Sequence, residues 1–149
     1  MKRQIVIDSS VIAKLFFHED LSDKAIEFIK YSIKSDWQLL APNLIDYEIG
    51  NICWKRIKRK ELQETEAVQV LENYRKLIIA KIEVLRFVPE ILSIAVKANI
   101  TFYDSSYLYL AVAMNSKFIT ADAILVKSVQ QFFPEDIIGL KNLNIANLS

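Results

Sequence analysis

The chain has 149 residues, 52% of them hydrophobic and 25% charged, and a net charge of +1. That length suits one domain with a proper core, and the near-neutral balance leaves any case for nucleic acid, membrane or acidic partners to local clusters. Two glycines exclude phosphate-cradling loops and dinucleotide fingerprints, one histidine excludes two-histidine mechanisms, and the lone Cys53 excludes an internal disulfide and fits a reducing compartment.

In chain order, residues 4–8 read as a short buried strand, and a helix is expected to follow through about Phe17. Asp8, Ser9, Ser10 and Lys14 interrupt what would otherwise resemble a signal peptide behind Lys2-Arg3. No stretch reaches the roughly 18 apolar residues of a membrane span, so a soluble, cytoplasmic protein is expected. Ser22 is read as the cap of a second helix with Ala25, Ile26 and Ile29 inward. Trp37 to Ala41 is a second apolar run, stopped by Pro42.

Helical periodicity then covers Asn43 to about Lys60 and Gln63 to Ala80, the latter with Ala67, Val70, Leu71, Tyr74, Leu77 and Ile78 on one face. Ile82 to Phe87 reads as a strand, and Pro89 suits the first turn of the next helix. Asp104–Asn115 is helical, Lys117–Thr120 a strand, Ala121 to about Phe132 a helix, and Ile137-Ile138 a short strand. Alternating strands and helices predict an α/β domain with a mostly parallel sheet. Such a sheet gathers its ligands along the carboxyl ends of its strands.

Four acids stand where a carboxylate is hard to explain as surface decoration. Asp8 and Asp122 follow strand-like runs, while Glu48 and Asp104 fall on apolar helix stripes. An unpartnered buried carboxylate is costly, and stays exposed, neutralises or binds a cation. Helix capping is an alternative for Asp8, Asp104 and Asp122. For Glu48 the alternative is an ion pair with a base such as Lys55, and periodicity does not separate Glu48 from Asp46. At about 5 Å and an effective dielectric of about 20, each like-charged pair costs roughly 3 kcal/mol. A shared divalent cation offsets that repulsion, and an all-oxygen donor set favours Mg²⁺ or Mn²⁺ over zinc.

The segments Ile5–Phe17, Ala41–Ile52, Tyr103–Ala111 and Phe118–Leu125 carry these acids in an order that spans nearly the whole chain. Together they resemble the PIN-domain ribonucleases of the VapC toxin type. The resemblance implies a three-layer α/β/α PIN-like domain over residues 1–149. It also implies that Asp8, Glu48, Asp104 and Asp122 are the catalytic, metal-ligating acids for one or two Mg²⁺ or Mn²⁺ ions. It favours Glu48 over Asp46, because the family's helix acid is followed three residues later by Asn, here Asn51. Ser10, Thr120 and Asn51 become supports at the edge of the site; helix capping is the plain alternative for the two hydroxyls.

The implied activity is hydrolysis of RNA phosphodiester bonds by an endoribonuclease, with a VapB-like antitoxin and a homodimer as protein partners. A free-standing RNA-processing nuclease and a non-catalytic RNA- or protein-binding module are the alternatives. A phosphatase of the haloacid-dehalogenase type would need Asp where the chain has Ser10. Of the basic run Lys55–Lys60, Lys55 and Arg59 continue the Glu48 face about 10 and 16 Å further along, where they are candidates to grip RNA phosphates. A solvated helix end accounts for them equally well. Trp37, Trp54, Tyr103, Tyr107 and Tyr109 are expected to pack in the core or a dimer rather than stack bases. His18 is expected on the surface, without chemistry.

Overall fold

The computed structural model describes residues 2–148; residues 1 and 149, the ends of the expected domain, lie outside that range. Five strands form one sheet: β1 (Gln4–Ile7), β2 (Gln38–Pro42), β3 (Ile79–Ile82), β4 (Lys117–Thr120) and β5 (Ile137–Gly139). Their order is β3-β2-β1-β4-β5 and all four pairings are parallel. The central strands β1 and β4 are apolar and almost wholly buried, as strands covered on both faces must be.

Seven helices connect them: α1 (Ser9–Ala13), α2 (Ser22–Lys34), α3 (Ile45–Lys58), α4 (Glu64–Arg75), α5 (Val88–Ala98), α6 (Phe102–Ala113) and α7 (Ala123–Gln130). The chain steps one way from β1 to β3 and then back across the sheet to β4 and β5. Right-handed crossovers therefore lay α1–α4 on one face and α5–α7 on the other, giving three α/β/α layers. The direction reverses between β1 and β4, so the crevice of a doubly wound sheet opens at their carboxyl ends. Across the back, α6 packs on β1, β2 and β4, and α5 packs on α6. The Ser105 hydroxyl ties those two helices by donating to the Ile91 carbonyl at 2.6 Å.

Several local expectations are corrected. The first helix ends at Ala13 rather than Phe17, and only hydrogen-bonded turns carry the chain on. Ser22 is the first residue of α2, not its cap. Its hydroxyl accepts from Glu19 N–H and donates to the Phe17 carbonyl, closing the loop before the helix. The largest difference lies around residues 76–87. The fourth helix stops at Arg75, β3 occupies Ile79–Ile82, and Leu85–Phe87 is a 3₁₀ turn instead of a strand. Leu77 to Ala80 is a continuous apolar run, which continues a helical stripe as readily as it fills a strand. Pairing with β2 decides it.

Candidate metal centre

Asp8 is the first residue beyond β1, and its N–H extends the ladder by donating to the Ile119 carbonyl at 2.9 Å. It holds the cap position of α1 but makes no side-chain capping bond. Instead, its buried carboxylate is gripped from two elements: Ser10 Oγ and Thr120 Oγ1 each donate to Oδ2 at 2.7 Å. Those hydroxyls in turn accept the N–H groups of Ala121, at 3.0 Å, and Asp122, at 3.1 Å. A hydroxyl has one proton to give, so both are committed to Asp8. The expected supports Ser10 and Thr120 thus clamp this acid rather than cap helices.

Glu48, one turn into α3, accepts a hydrogen bond at 2.6 Å from Tyr107 of α6. Tyr107 is fully buried and stacked on Phe118 of β4, with ring centroids 5.3 Å apart. Asp46 points elsewhere. Its Oδ1 accepts from the Tyr74 hydroxyl at 2.7 Å and pairs with Lys81 Nζ at 2.7 Å, a link from α3 to α4 and β3. Asp46 is therefore occupied by Tyr74 and Lys81, whereas Glu48 has no basic partner among the described residues. Asp104 lies in the first turn of α6 behind Thr101, whose Oγ1 accepts the Asp104 N–H. Asp122 does cap its helix: Oδ1 accepts from Ile124 N–H at 3.0 Å and Leu125 N–H at 3.1 Å.

All four acids are electrostatically coupled. Burial raises the Asp8 carboxyl above its ordinary value, the hydroxyls of Ser10 and Thr120 partly oppose this, and the Asp122 charge adds to it. Burial pushes Glu48 up to about 7, against the Tyr107 hydrogen bond and with the charges of Asp8 and Asp104. Asp104 is pushed up to about 6 by burial, then by Asp8 and Asp122. Among the described residues none of the four has a basic partner. The cluster lacks positive charge, and hard oxygen donors suit Mg²⁺ or Mn²⁺. The spacing is open: among the described residues no three His, Cys, Asp or Glu side chains already form a ready-made metal cage. Ser10 and Thr120 bond Oδ2 of Asp8, Tyr107 bonds Oε1 of Glu48, and the Ile124 and Leu125 N–H groups bond Oδ1 of Asp122; Ser9 adds a backbone bond to Asp8 and a side-chain bond to Glu48.

A PIN domain model matches residues 5–128. The chain belongs to the PIN-domain family. Its PIN domain is similar to Ribonuclease VapC3 of Pyrobaculum aerophilum, with 31% identity over 83% of this chain and 93% of the relative. Exonuclease VapC9 of the same organism is 30% identical over 85% and 86%, and Ribonuclease VapC9 of Mycobacterium tuberculosis is 30% identical over 68% and 78%. The crystal structure of PAE2754 from Pyrobaculum aerophilum superposes with a TM-score of 0.70 at 26% identity, covering 95% of this chain and 93% of that one. Asp8 and Asp122 lie just beyond β1 and β4, Glu48 on α3 and Asp104 on α6, and the Asp8 charge acts on both Glu48 and Asp104 while that of Asp122 acts on Asp8 and Asp104.

The remaining expected residues divide. Asn51 is exposed one turn beyond Glu48, on the rim of a cleft, and makes no hydrogen bond to the four acids among the described residues. Lys55 and Arg59 are exposed and without ion pairs among the described residues. Arg56 between them is structural: it pairs with Glu19 at 2.8 Å and lies 4.1 Å above the Phe17 ring. Trp37 sits at the amino end of β2, away from the crevice, and His18 is exposed. Tyr107 is in the core as expected and also holds Glu48, while Tyr103 is exposed in the single chain. Among the described residues no helix is long and apolar enough to cross a membrane.

Proposed function

We propose that this PIN-domain protein is a divalent-metal-dependent endoribonuclease of the VapC type, acting in the cytoplasm with Asp8, Glu48, Asp104 and Asp122 as its metal-binding and catalytic acids. The observation that carries the reading is that Asp8 and Asp122 end the strands at the sheet's switch point, that their charges reach Glu48 and Asp104, and that none of the four has a basic partner among the described residues. A bound Mg²⁺ or Mn²⁺ supplies Lewis-acid polarisation of the phosphodiester and a more acidic water. The chain's own part is positioning. Ser10 and Thr120 fix Asp8 through Oδ2, Tyr107 fixes Glu48 through Oε1, and the amino end of α7 fixes Asp122 through Oδ1. Lys55 and Arg59 suit the phosphates of a single strand running along α3.

Val88, Leu92 and Val96 recur every fourth residue along α5 and are 42, 52 and 74% exposed. That apolar stripe supports a homodimer formed through α5. The VapC relatives favour an antitoxin as the second protein partner.

The test is cleavage of single-stranded RNA with Mn²⁺ or Mg²⁺ by the wild type and by Asp8→Asn and Asp104→Asn. Both variants are expected to keep the far-UV circular dichroism of the wild type and to lose cleavage. Undiminished cleavage in both removes the assignment. A second reading has one observation behind it, the relative named an exonuclease. Circular RNA separates the two, because only an endonuclease opens it.

A further inference from the structure

Two cavities, one of them reaching an acid of the candidate site, share three lining residues, Leu44, Tyr47 and Tyr103. One, of about 560 Å³, reaches Glu48 and Asn51. The other, of about 400 Å³, runs on to Leu85 and Phe102. Together they form a continuous cleft beginning at a carboxylate of the site. Both volumes fall in the range of about 300–1,000 Å³ typical of small-ligand sites.

Its two aromatic walls are placed by the same local rule. Tyr47 immediately precedes Glu48 on α3, and Tyr103 immediately precedes Asp104 on α6. Neighbours on a helix diverge by about 100°, so turning each acid toward the crevice turns each tyrosine toward the adjoining cleft. Tyr47 is 82% and Tyr103 65% exposed. The rings already paired with one another are other residues, Tyr107 stacked on Phe118 and Phe87 tilted against Tyr109. One exposed aromatic says little; two lining one cleft beside a nuclease centre say more.

We infer that this cleft seats a base of the single-stranded RNA substrate next to the cleaved phosphate, with Tyr47 and Tyr103 as its stacking walls. This rests on the nuclease reading above. The chemistry of the lining selects the base over the backbone: Glu48 and Glu83 repel a phosphate, whereas flat apolar rings attract a neutral heterocycle. The exposed Asn51 amide offers both a donor and an acceptor to a base edge. Leu44, Tyr47, Glu48, Asn51 and Lys55 follow one helical stripe at spacings of three and four. A strand whose base fills the cleft therefore passes its next phosphates to Lys55.

The experiment measures binding of a short single-stranded RNA with Ca²⁺ in place of the catalytic metal, and in parallel cleavage with Mn²⁺, Mn²⁺ affinity and oligomeric state. Tyr47→Ala and Tyr103→Ala are each expected to weaken RNA binding about tenfold while Mn²⁺ affinity stays unchanged. Tyr47→Phe and Tyr103→Phe, which keep the ring, should bind like the wild type. An RNA with one abasic nucleotide beside the cut should lose the same factor against the wild type and little more against the alanine variants.

Alanine variants that bind RNA as tightly as the wild type overturn the inference, as does a wild type that binds no RNA. A shift to monomers with RNA affinity intact gives the cleft to a second copy and also overturns it. Wild-type cleavage with unaffected alanine variants leaves the nuclease reading standing alone. Loss of RNA binding in the variants of a wild type that never cleaves does the reverse.

Discussion

The Tyr107 hydroxyl donates to the Glu48 carboxylate at 2.6 Å, joining α6 to α3 across 59 residues of sequence. The tyrosine ring is fully buried and stacked on β4, so it cannot follow a wandering glutamate. Tyr107 is a positioning residue. Tyr107→Phe keeps the packing and removes only the donor. It is predicted to weaken Mn²⁺ affinity and kcat about tenfold, the usual effect of losing a ligand's supporting partner, with KM for RNA unchanged. Calorimetric Mn²⁺ titration and steady-state cleavage check this; an unchanged Mn²⁺ affinity contradicts it.

The raised carboxyls tie stability to pH in a defined sense. Glu48 goes from 4.5 to about 7 and Asp104 from 3.8 to about 6, burial being the first cause in each. Such a group keeps its proton in the folded state where the unfolded chain has already released it. The contribution is therefore full below about pH 4 and is lost as pH rises through about 7. In EDTA, Tm is expected to fall between pH 5 and pH 7.5, and Glu48→Gln to fall less. Added Mn²⁺ should restore the wild type at pH 7.5. Scanning calorimetry reads all three, and an equal slope in Glu48→Gln contradicts the assignment.

Lys55 and Arg59 differ from Arg56 in having no ion pair among the described residues. Replacing both with alanine should weaken RNA binding at all sequences alike. The slope of log affinity against log salt should drop by about 1.4, at about 0.7 for each lost phosphate contact on a single strand. Arg56→Ala should instead lower Tm, since it loosens α3 from the loop at Glu19. Binding curves at several salt concentrations decide the first point, and an unchanged slope rules out phosphate contacts.

The exposed stripe on α5 gives a direct prediction about assembly. Val96→Glu places a charge at the most exposed end of that apolar stripe and is expected to convert dimers to monomers at micromolar concentration, leaving the fold intact. Light scattering checks it. A variant that remains dimeric puts the interface elsewhere.

How far the sequence led depended on whether a signal was local. Asp8 and Asp122 were legible because strand ends announce themselves: an apolar run stops and a carboxylate follows. The parallel sheet was legible from the alternation of elements. Residues 76–87 were not, because Leu77 to Ala80 fits either period and only the β2 partner chooses. The roles of Tyr107 and Asp46 were hidden for the same reason. A hydrogen bond to Glu48 from 59 residues away, and one to Asp46 from Tyr74 at 28, leave no trace in spacing. Helical spacing likewise does not tell an aromatic buried in the chain's own core from one exposed on its surface, as Tyr103 is.

The central proposal is that Asp8, Glu48, Asp104 and Asp122 hold a divalent cation, and calorimetric titration of Mn²⁺ at pH 7.5 tests it most directly. The wild type is predicted to bind Mn²⁺ and to gain Tm from it, whereas Asp8→Asn, folded by circular dichroism, binds at least about tenfold more weakly. A wild type that takes up no Mn²⁺, or an Asp8→Asn variant that binds it as tightly as the wild type, contradicts the metal centre.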